Sequence, residues 1–266
     1  MNFTMPNPTT TRGVNTAPEV PHGALAKVPS HVFEASRIVA FEGHDERSRA
    51  YNMIRAQIVR ELDGGKNRLI GITSPTPGAG KSLLSLNLAA AISRIANRAV
   101  LLCDFDLRRG SVGQALALDT DADVASYLRG EQAEWQSSVL RIEGTDMYVL
   151  PCTPRGRGSA ELLSSQTFEN LIAGIRTLPS DVLVICDLPP VFASDDTLLA
   201  AEHLDSYLLV VEYARNTAGQ VREAMRLLDQ LPLLGTVLNR YRGGLFDAYG
   251  YGYGDPYGLK DYGTTA

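Results

Sequence analysis

Six apolar runs of strand length punctuate the chain: Leu69–Ile72, Ala99–Cys103, Met147–Leu150, Val182–Cys186, Tyr207–Val211 and Gly235–Leu238. Between them, apolar residues recur every third or fourth position, the period of a helix with one buried face. Such stretches run from Asp45 to about Leu62 (Tyr51, Ile54, Ile58, Leu62), from Lys81 to about Ala96 (Leu84, Leu88, Ala91, Ile92, Ile95), and over 164–177, 196–201 and 217–231. Ala99-Val100-Leu101-Leu102-Cys103 is apolar at every position, so both of its faces are buried, as in a central parallel strand. The alternation predicts an α/β fold: a mostly parallel sheet with helices on both faces. The ends break the pattern. Residues 1–30 are rich in Pro, Thr and Asn and are expected to be disordered or loosely draped. Beyond Arg242, glycine at every second place opposes both helix and packed strand, so 243–266 reads as a flexible Tyr/Gly-rich tail. The folded domain is expected to span 31–242.

Composition narrows this modestly. With 44% apolar residues the 266-residue chain can bury one substantial core. A net charge of −5 and a pI near 5.4 leave no electrostatic footprint for nucleic acid. No run of 18 apolar residues exists and the N-terminus is polar, so neither a membrane span nor a signal peptide is expected and a cytoplasmic location is. Cys103, Cys152 and Cys186 are too few and scattered for a disulfide framework. Cys103 and Cys186 sit in apolar runs, where a small buried hydrophobe is the expected role.

The chemistry gathers where the first strand ends. Gly71-Ile72-Thr73-Ser74-Pro75-Thr76-Pro77-Gly78-Ala79-Gly80-Lys81-Ser82 runs from strand through a Pro/Gly loop into a helix. In such a loop backbone amides turn onto an anion, and the helix N-terminus adds its dipole. A lysine reaches the β- and γ-phosphates and a hydroxyl ligates Mg²⁺, which makes ATP and Mg²⁺ the expected cofactors. Contacts to the nucleotide are expected from Pro77, Gly78, Ala79, Gly80, Lys81, Ser82 and Leu83. The strict phosphate-loop pattern has glycine at 75, where this chain has Pro75.

Two later runs end in acids: Asp104-Phe105-Asp106, and Val182 to Asp187 followed by Leu188-Pro189-Pro190. Ligands of open α/β sheets collect at the carboxyl ends of the strands. Asp187 fits an acid that positions metal or water. Asp104 and Asp106, two apart on an extended chain, would point the same way. One could hold metal through water while the other accepts a proton from an attacking hydroxyl. Arg108 and Arg109 could neutralise phosphate or simply be surface groups. Six of the eleven tyrosines lie from Tyr241 onward. A mobile tail of phenols suits the acceptor side of phosphoryl transfer.

These motifs together resemble the bacterial tyrosine kinases of capsule and exopolysaccharide synthesis, P-loop proteins related to the ParA/MinD-type ATPases. The resemblance covers about residues 46–266. Ser74 to Ser82 is similar to that family's Walker A, Asp104 to Arg109 to its Walker A′, and Cys186 to Pro190 to its Walker B. Shorter similarities are Tyr127-Leu128-Arg129-Gly130-Glu131, Glu161-Leu162-Leu163-Ser164-Ser165 and Val237-Leu238-Asn239-Arg240, whose Asn239 would read adenine. The resemblance implies an ATP/Mg²⁺-dependent protein-tyrosine kinase that autophosphorylates in trans and regulates polysaccharide polymerisation and export. Lys81 would hold phosphate, Ser82, Asp106 and Asp187 the metal, and Asp104 would assist deprotonation. Tyr249, Tyr251, Tyr253, Tyr257 and Tyr262 would accept the phosphoryl group. It also implies a separate membrane-embedded activator that recruits the chain to the inner face of the plasma membrane, a homo-oligomer, and a cognate tyrosine phosphatase.

Two family features differ here. The positions of the oligomerisation pattern E-x-x-R-x-x-R fall on Arg49, Asn52 and Arg55 in one register, where only the last matches, and on Glu46, Arg49 and Asn52 in the other, where the last does not, so neither register completes it. Gly156-Arg157-Gly158-Ser159 replaces a Pro-rich segment before Glu161. Two other readings stand beside the kinase: a ParA/MinD-like ATPase switch, and a nucleotide-binding regulator of polysaccharide export with little kinase activity. The switches carry a signature lysine where this chain has Thr76.

Overall fold

The computed structural model describes residues 17–62, 68–154 and 158–241. In chain order its elements are β1 (Ala24–Ala26), α1 (Ser30–Ala35), α2 (Arg49–Leu62), β2 (Leu69–Thr73), α3 (Lys81–Ile92), β3 (Ala99–Asp104), α4 (Ser111–Ala115), α5 (Val124–Leu128), β4 (Leu140–Ile142), β5 (Met147–Leu150), α6 (Ser159–Leu163), α7 (Gln166–Arg176), β6 (Val182–Asp187), α8 (Asp196–Ala201), β7 (Ser206–Glu212), α9 (Ala218–Leu227) and β8 (Leu233–Asn239). The sheet order is β1-β4-β5-β3-β6-β2-β7-β8, and every neighbouring pair is parallel except β4–β5.

Alternation along the central strands builds a core on each face. Leu101 and Cys103 of β3 join Phe168, Leu171 and Ile175 of α7 on one side. Val100 and Leu102 join Leu88, Ala91 and Ile92 of α3 on the other. Each such Val, Leu, Ile or Phe side chain contributes about 1.5–3 kcal/mol by leaving water. β2, β3 and β6 are buried along their whole length, as the all-apolar run at 99–103 predicts. Edge strand β8 is only partly covered. Register then places the chemistry: Asp104 pairs with Asp187 across β3–β6, and Ile72 with Asp187 across β2–β6.

Several expectations are corrected. Within residues 1–30, expected to be disordered or loosely draped, Ala24–Ala26 pairs with β4 and Val20 is fully buried, while 1–16 lie outside the described residues. Three residues carry too little periodicity to be read as a strand. The helix expected from Asp45 starts as a 3-10 turn, Glu46–Ser48, capped by the Asp45 carboxylate on the Arg47 amide. α3 ends at Ile92 rather than near Ala96, ahead of Asn97 in a left-handed conformation (φ 64°). The tail tyrosines 249–262 lie outside the described residues.

Candidate active site

Local sequence shapes the phosphate loop. β2 hands the chain to Ser74, whose carbonyl accepts from Val191 N (2.9 Å), and Pro75, whose carbonyl accepts from Phe192 N (3.2 Å). Pro75 is thus anchored by the segment after β6. Gly78 (φ 86°) and Gly80 (φ 91°) hold left-handed conformations. A β-carbon on Gly80 would collide with the Asn239 amide, so only glycine fits. Pro77 and Gly78 face solvent, Ala79 is buried, and Ser82 and Leu83 are half-buried at the start of α3. Twelve residues long, α3 presents free first-turn amides and a positive dipole end at Gly80–Leu83.

Lys81 folds onto the acids of the two central strands. Its Nζ lies 3.0 Å from Asp106 Oδ2, 3.6 Å from Asp187 Oδ2 and 3.3 Å from Ser82 Oγ. Burial acts to lower the lysine pKa, but Asp187 and Asp106 outweigh it and the net shift is upward. Ser85 Oγ stands 3.0 Å from both Asp187 Oδ1 and the Lys81 carbonyl, and its single proton can serve one at a time. Burial pushes the Asp187 carboxyl up, partly offset by Lys81. Ser85 is a site residue that the motifs missed; it lies one helical turn after Lys81, on the same face.

Asp104 departs from the expected geometry. The extended chain ends at residue 104, so Asp104 and Asp106 do not point the same way. Asp106 turns to Lys81. Asp104, fully buried, instead accepts from Asp106 N (3.2 Å) and from Val112 N (3.0 Å) in α4. Burial, then the neighbouring Asp187 charge, pushes its carboxyl well above the ordinary range.

Other sequence candidates fall elsewhere. Arg108 Nε donates to the buried Asp196 of α8 (2.9 Å) and lies 3.0 Å from Ser159 Oγ of α6, so it ties helices together. Arg109 is exposed. Cys103 and Cys186 are register partners, free and fully buried. Burial raises the Cys103 thiol well above its usual value, fitting inert hydrophobes. On α2, Arg55 donates to the Ala91 carbonyl of α3 (3.1 Å), and Asn52 donates to Ser48 Oγ (3.0 Å). Both side chains thereby make contacts within the domain.

The outer strands add a second set. Asn239 Nδ2, at the end of β8, donates to the Ala79 carbonyl (2.8 Å), and Asn239 Oδ1 accepts from Arg240 N (2.9 Å). Asn216 Nδ2, after β7, donates to Thr76 Oγ1 (2.8 Å). Nothing local marks Asn216 as a partner of a loop 140 residues away.

This donor set fits a magnesium nucleotide. Among the described residues Asp187 Oδ2, a buried carboxylate oxygen, has no hydrogen-bond partner, and Ser82 and Asp106 supply further hard oxygens nearby. Among the described residues no group of three or more His, Cys, Asp or Glu is arranged to hold a metal alone. Nucleotide-bound Mg²⁺ needs only one or two carboxylates besides phosphates and waters, so the two observations agree.

Comparison with known proteins gives the same picture. The chain is 30% identical over 213 residues to the succinoglycan biosynthesis transport protein ExoP of Rhizobium meliloti, covering 77% of this chain and 26% of ExoP. It is 28% identical over 240 residues to the tyrosine-protein kinase YwqD of Bacillus subtilis, covering 90% of this chain and 98% of YwqD. The kinase domain of the Escherichia coli tyrosine kinase ETK superposes with a TM-score of 0.71 at 27% identity, over 82% of this chain and 85% of that domain. The chain spans about a quarter of the length of several curated relatives it matches. Among the described residues no helix is long and apolar enough to cross a membrane. The model of the CobQ/CobB/MinD/ParA nucleotide-binding domain matches residues 70–248, more than half of the chain, and includes the loop, the acids of β3 and β6, and Asn239. The chain belongs to that family of nucleotide-binding domains.

Proposed function

We propose that the chain is an ATP/Mg²⁺-dependent protein-tyrosine kinase that phosphorylates the C-terminal tyrosines of a neighbouring copy. The observation that carries this reading is the convergence of Lys81 on Asp106 and Asp187 at the mouth of a phosphate loop. Likeness to YwqD over nearly its full length supports transfer to tyrosine. Lys81 and the amides of Gly78 and Gly80 hold phosphates; Ser82, Asp106 and Asp187 hold the metal. Asn239 keeps one amide N–H and one oxygen lone pair for the adenine edge. Bound Mg²⁺ would supply neutralisation of the charge that develops in the transfer. A tail phenol attacks the γ-phosphorus: its O–P bond forms, the bond to the β-phosphate oxygen breaks, and ADP leaves. The phenol proton passes to Asp104 in its ionised form, which the raised pKa makes the stronger base. Tyr249, Tyr251, Tyr253, Tyr257 and Tyr262 are the acceptors, at high effective concentration within an oligomer.

Thr76 separates this chain from the two-lysine switches, since its hydroxyl is held in cis by Asn216. Likeness to ExoP supports a role in polysaccharide biosynthesis and transport; we infer that the chain regulates polymerisation and export, acts through a separate membrane-embedded activator and is reversed by a tyrosine phosphatase. The test is to incubate the full chain with ATP and Mg²⁺, activator included once identified, and to map phosphotyrosine by mass spectrometry. Label is expected between Tyr249 and Tyr262 and absent in Lys81→Met. No label in that window, or equal label in the variant, overturns the kinase.

A further inference from the structure

Among the described residues, two of the five non-glycine residues in left-handed conformations sit side by side at the outer strand ends: Ala214 (φ 58°) after β7 and Arg240 (φ 58°) after β8. Tyr213 N donates to the Asn239 carbonyl (2.9 Å) and ties these ends together. Strained backbone of this kind persists only where its surroundings over-determine it, and it clusters at functional sites. Here its consequence is visible. The turn after β7 aims two consecutive side chains at the phosphate loop, Asn216 at Thr76 and Arg215 at Gly78. A β-carbon built on Gly78 would lie 3.2 Å from Arg215 Nη1.

Arg215 is not needed to neutralise its neighbour. Glu212, 7% exposed, accepts from Arg215 Nη1 (3.2 Å) and from Arg240 Nη1 (3.0 Å), so two guanidinium groups meet one carboxylate. One positive charge is in surplus, and it stands against the exposed Gly78 of an anion-binding loop. The Arg215 side chain is 58% exposed, leaving most of its five N–H donors open on the solvent side of the loop. Lys81, by contrast, is buried between two acids.

We propose that Arg215 is a second phosphate ligand, a cis-acting cation that grips the phosphate chain of a nucleoside triphosphate from above Gly78. It supplies from the same chain the charge that Thr76 leaves out of the loop. Glu212 Oε2 holds the guanidinium through a hydrogen bond that a neutral amide oxygen can also accept, and Ala214 sets its direction. The inference rests on reading the loop as a nucleotide site.

The test measures binding of Mg²⁺ with a non-hydrolysable ATP analogue to the full chain by calorimetry, in the wild type, Arg215→Ala, Arg215→Lys, Glu212→Gln and Lys81→Met. Arg215→Ala is expected to weaken binding about tenfold, with Arg215→Lys restoring part of it as a point charge without the fork. Glu212→Gln is the discriminating arm. It removes the ion pair but keeps the cation, so wild-type or tighter binding is expected. A purely structural ion pair would make Glu212→Gln as weak as Arg215→Ala, and that result overturns the proposal. So does an Arg215→Ala affinity within about twofold of wild type while Lys81→Met still loses binding. No binding by the wild type, or Lys81→Met binding like wild type, removes the nucleotide reading and this inference with it.

Discussion

The inner and outer strand ends build the same site in opposite ways. At β3 and β6, apolar strands buried on both faces each stop at an acid, and the charges are enclosed: Asp104 and Asp187 are fully buried, and Lys81 lies between Asp106 and Asp187. At β7 and β8 the groups are half-exposed, and hydrogen bonds rather than burial place them: Asn216 on Thr76, Asn239 on Ala79, Arg215 over Gly78. Enclosed charges interact strongly because little water screens them, while exposed ones are screened. The inner half should therefore govern chemistry, and the outer half the fit of the loop around its ligand.

The inner half gives the largest expected effects. Asp104→Asn removes the proton acceptor, and phosphotransfer to tyrosine is expected to fall about a hundredfold or more, measured as initial rates of phosphotyrosine formation. Its stability carries a pH signature. Because the Asp104 carboxyl is raised, the folded chain retains a proton that the unfolded chain releases above the ordinary carboxylate range. Wild-type stability then falls as pH rises from that range through the folded value. Denaturation midpoints of Asp104→Asn relative to wild type should accordingly climb across that window. The Asn amide must face one of two backbone N–H groups, which shifts the offset but not the slope. A flat difference would mean that Asp104 is not buried as a raised acid.

Asp187→Asn should cost nucleotide binding about a hundredfold in the presence of Mg²⁺, or about 2.7 kcal/mol, and little when the metal is chelated. Equal losses with and without metal would make Asp187 a counter-charge for Lys81 rather than a metal ligand.

Legibility follows the same division. The inner half was readable because each feature is local: an apolar run, a glycine loop, an acid at a strand end. Strand pairing then did the rest, setting Asp104 beside Asp187. Even there the reading failed at Asp104–Asp106, because the chain leaves the extended conformation after residue 104 and the alternation rule no longer applies. The outer half was mostly opaque. No motif marks Asn216 or Arg215, and their partners Thr76 and Gly78 lie about 140 residues earlier. Asn239 was singled out by its motif, but its bond to Ala79 was not foreseeable. Likewise β1 and β4 are three residues each, too short for periodicity to speak.

The smallest effect tests the outer half most directly. The Asn216–Thr76 bond is a single neutral hydrogen bond, worth about 0.5–1.5 kcal/mol. Thr76→Val keeps the shape of the side chain and removes the acceptor, so affinity for the ATP analogue should drop only a few-fold. Asn216→Ala should cost more, because Asn216 Oδ1 also accepts from the Glu212 amide (2.8 Å) and holds the turn that carries Arg215. The double variant should be no worse than Asn216→Ala alone, since the contact is already gone. Additive losses would show that Thr76 and Asn216 act on the nucleotide separately. The outer strand ends would then be two independent contacts rather than one clamp closing on the loop.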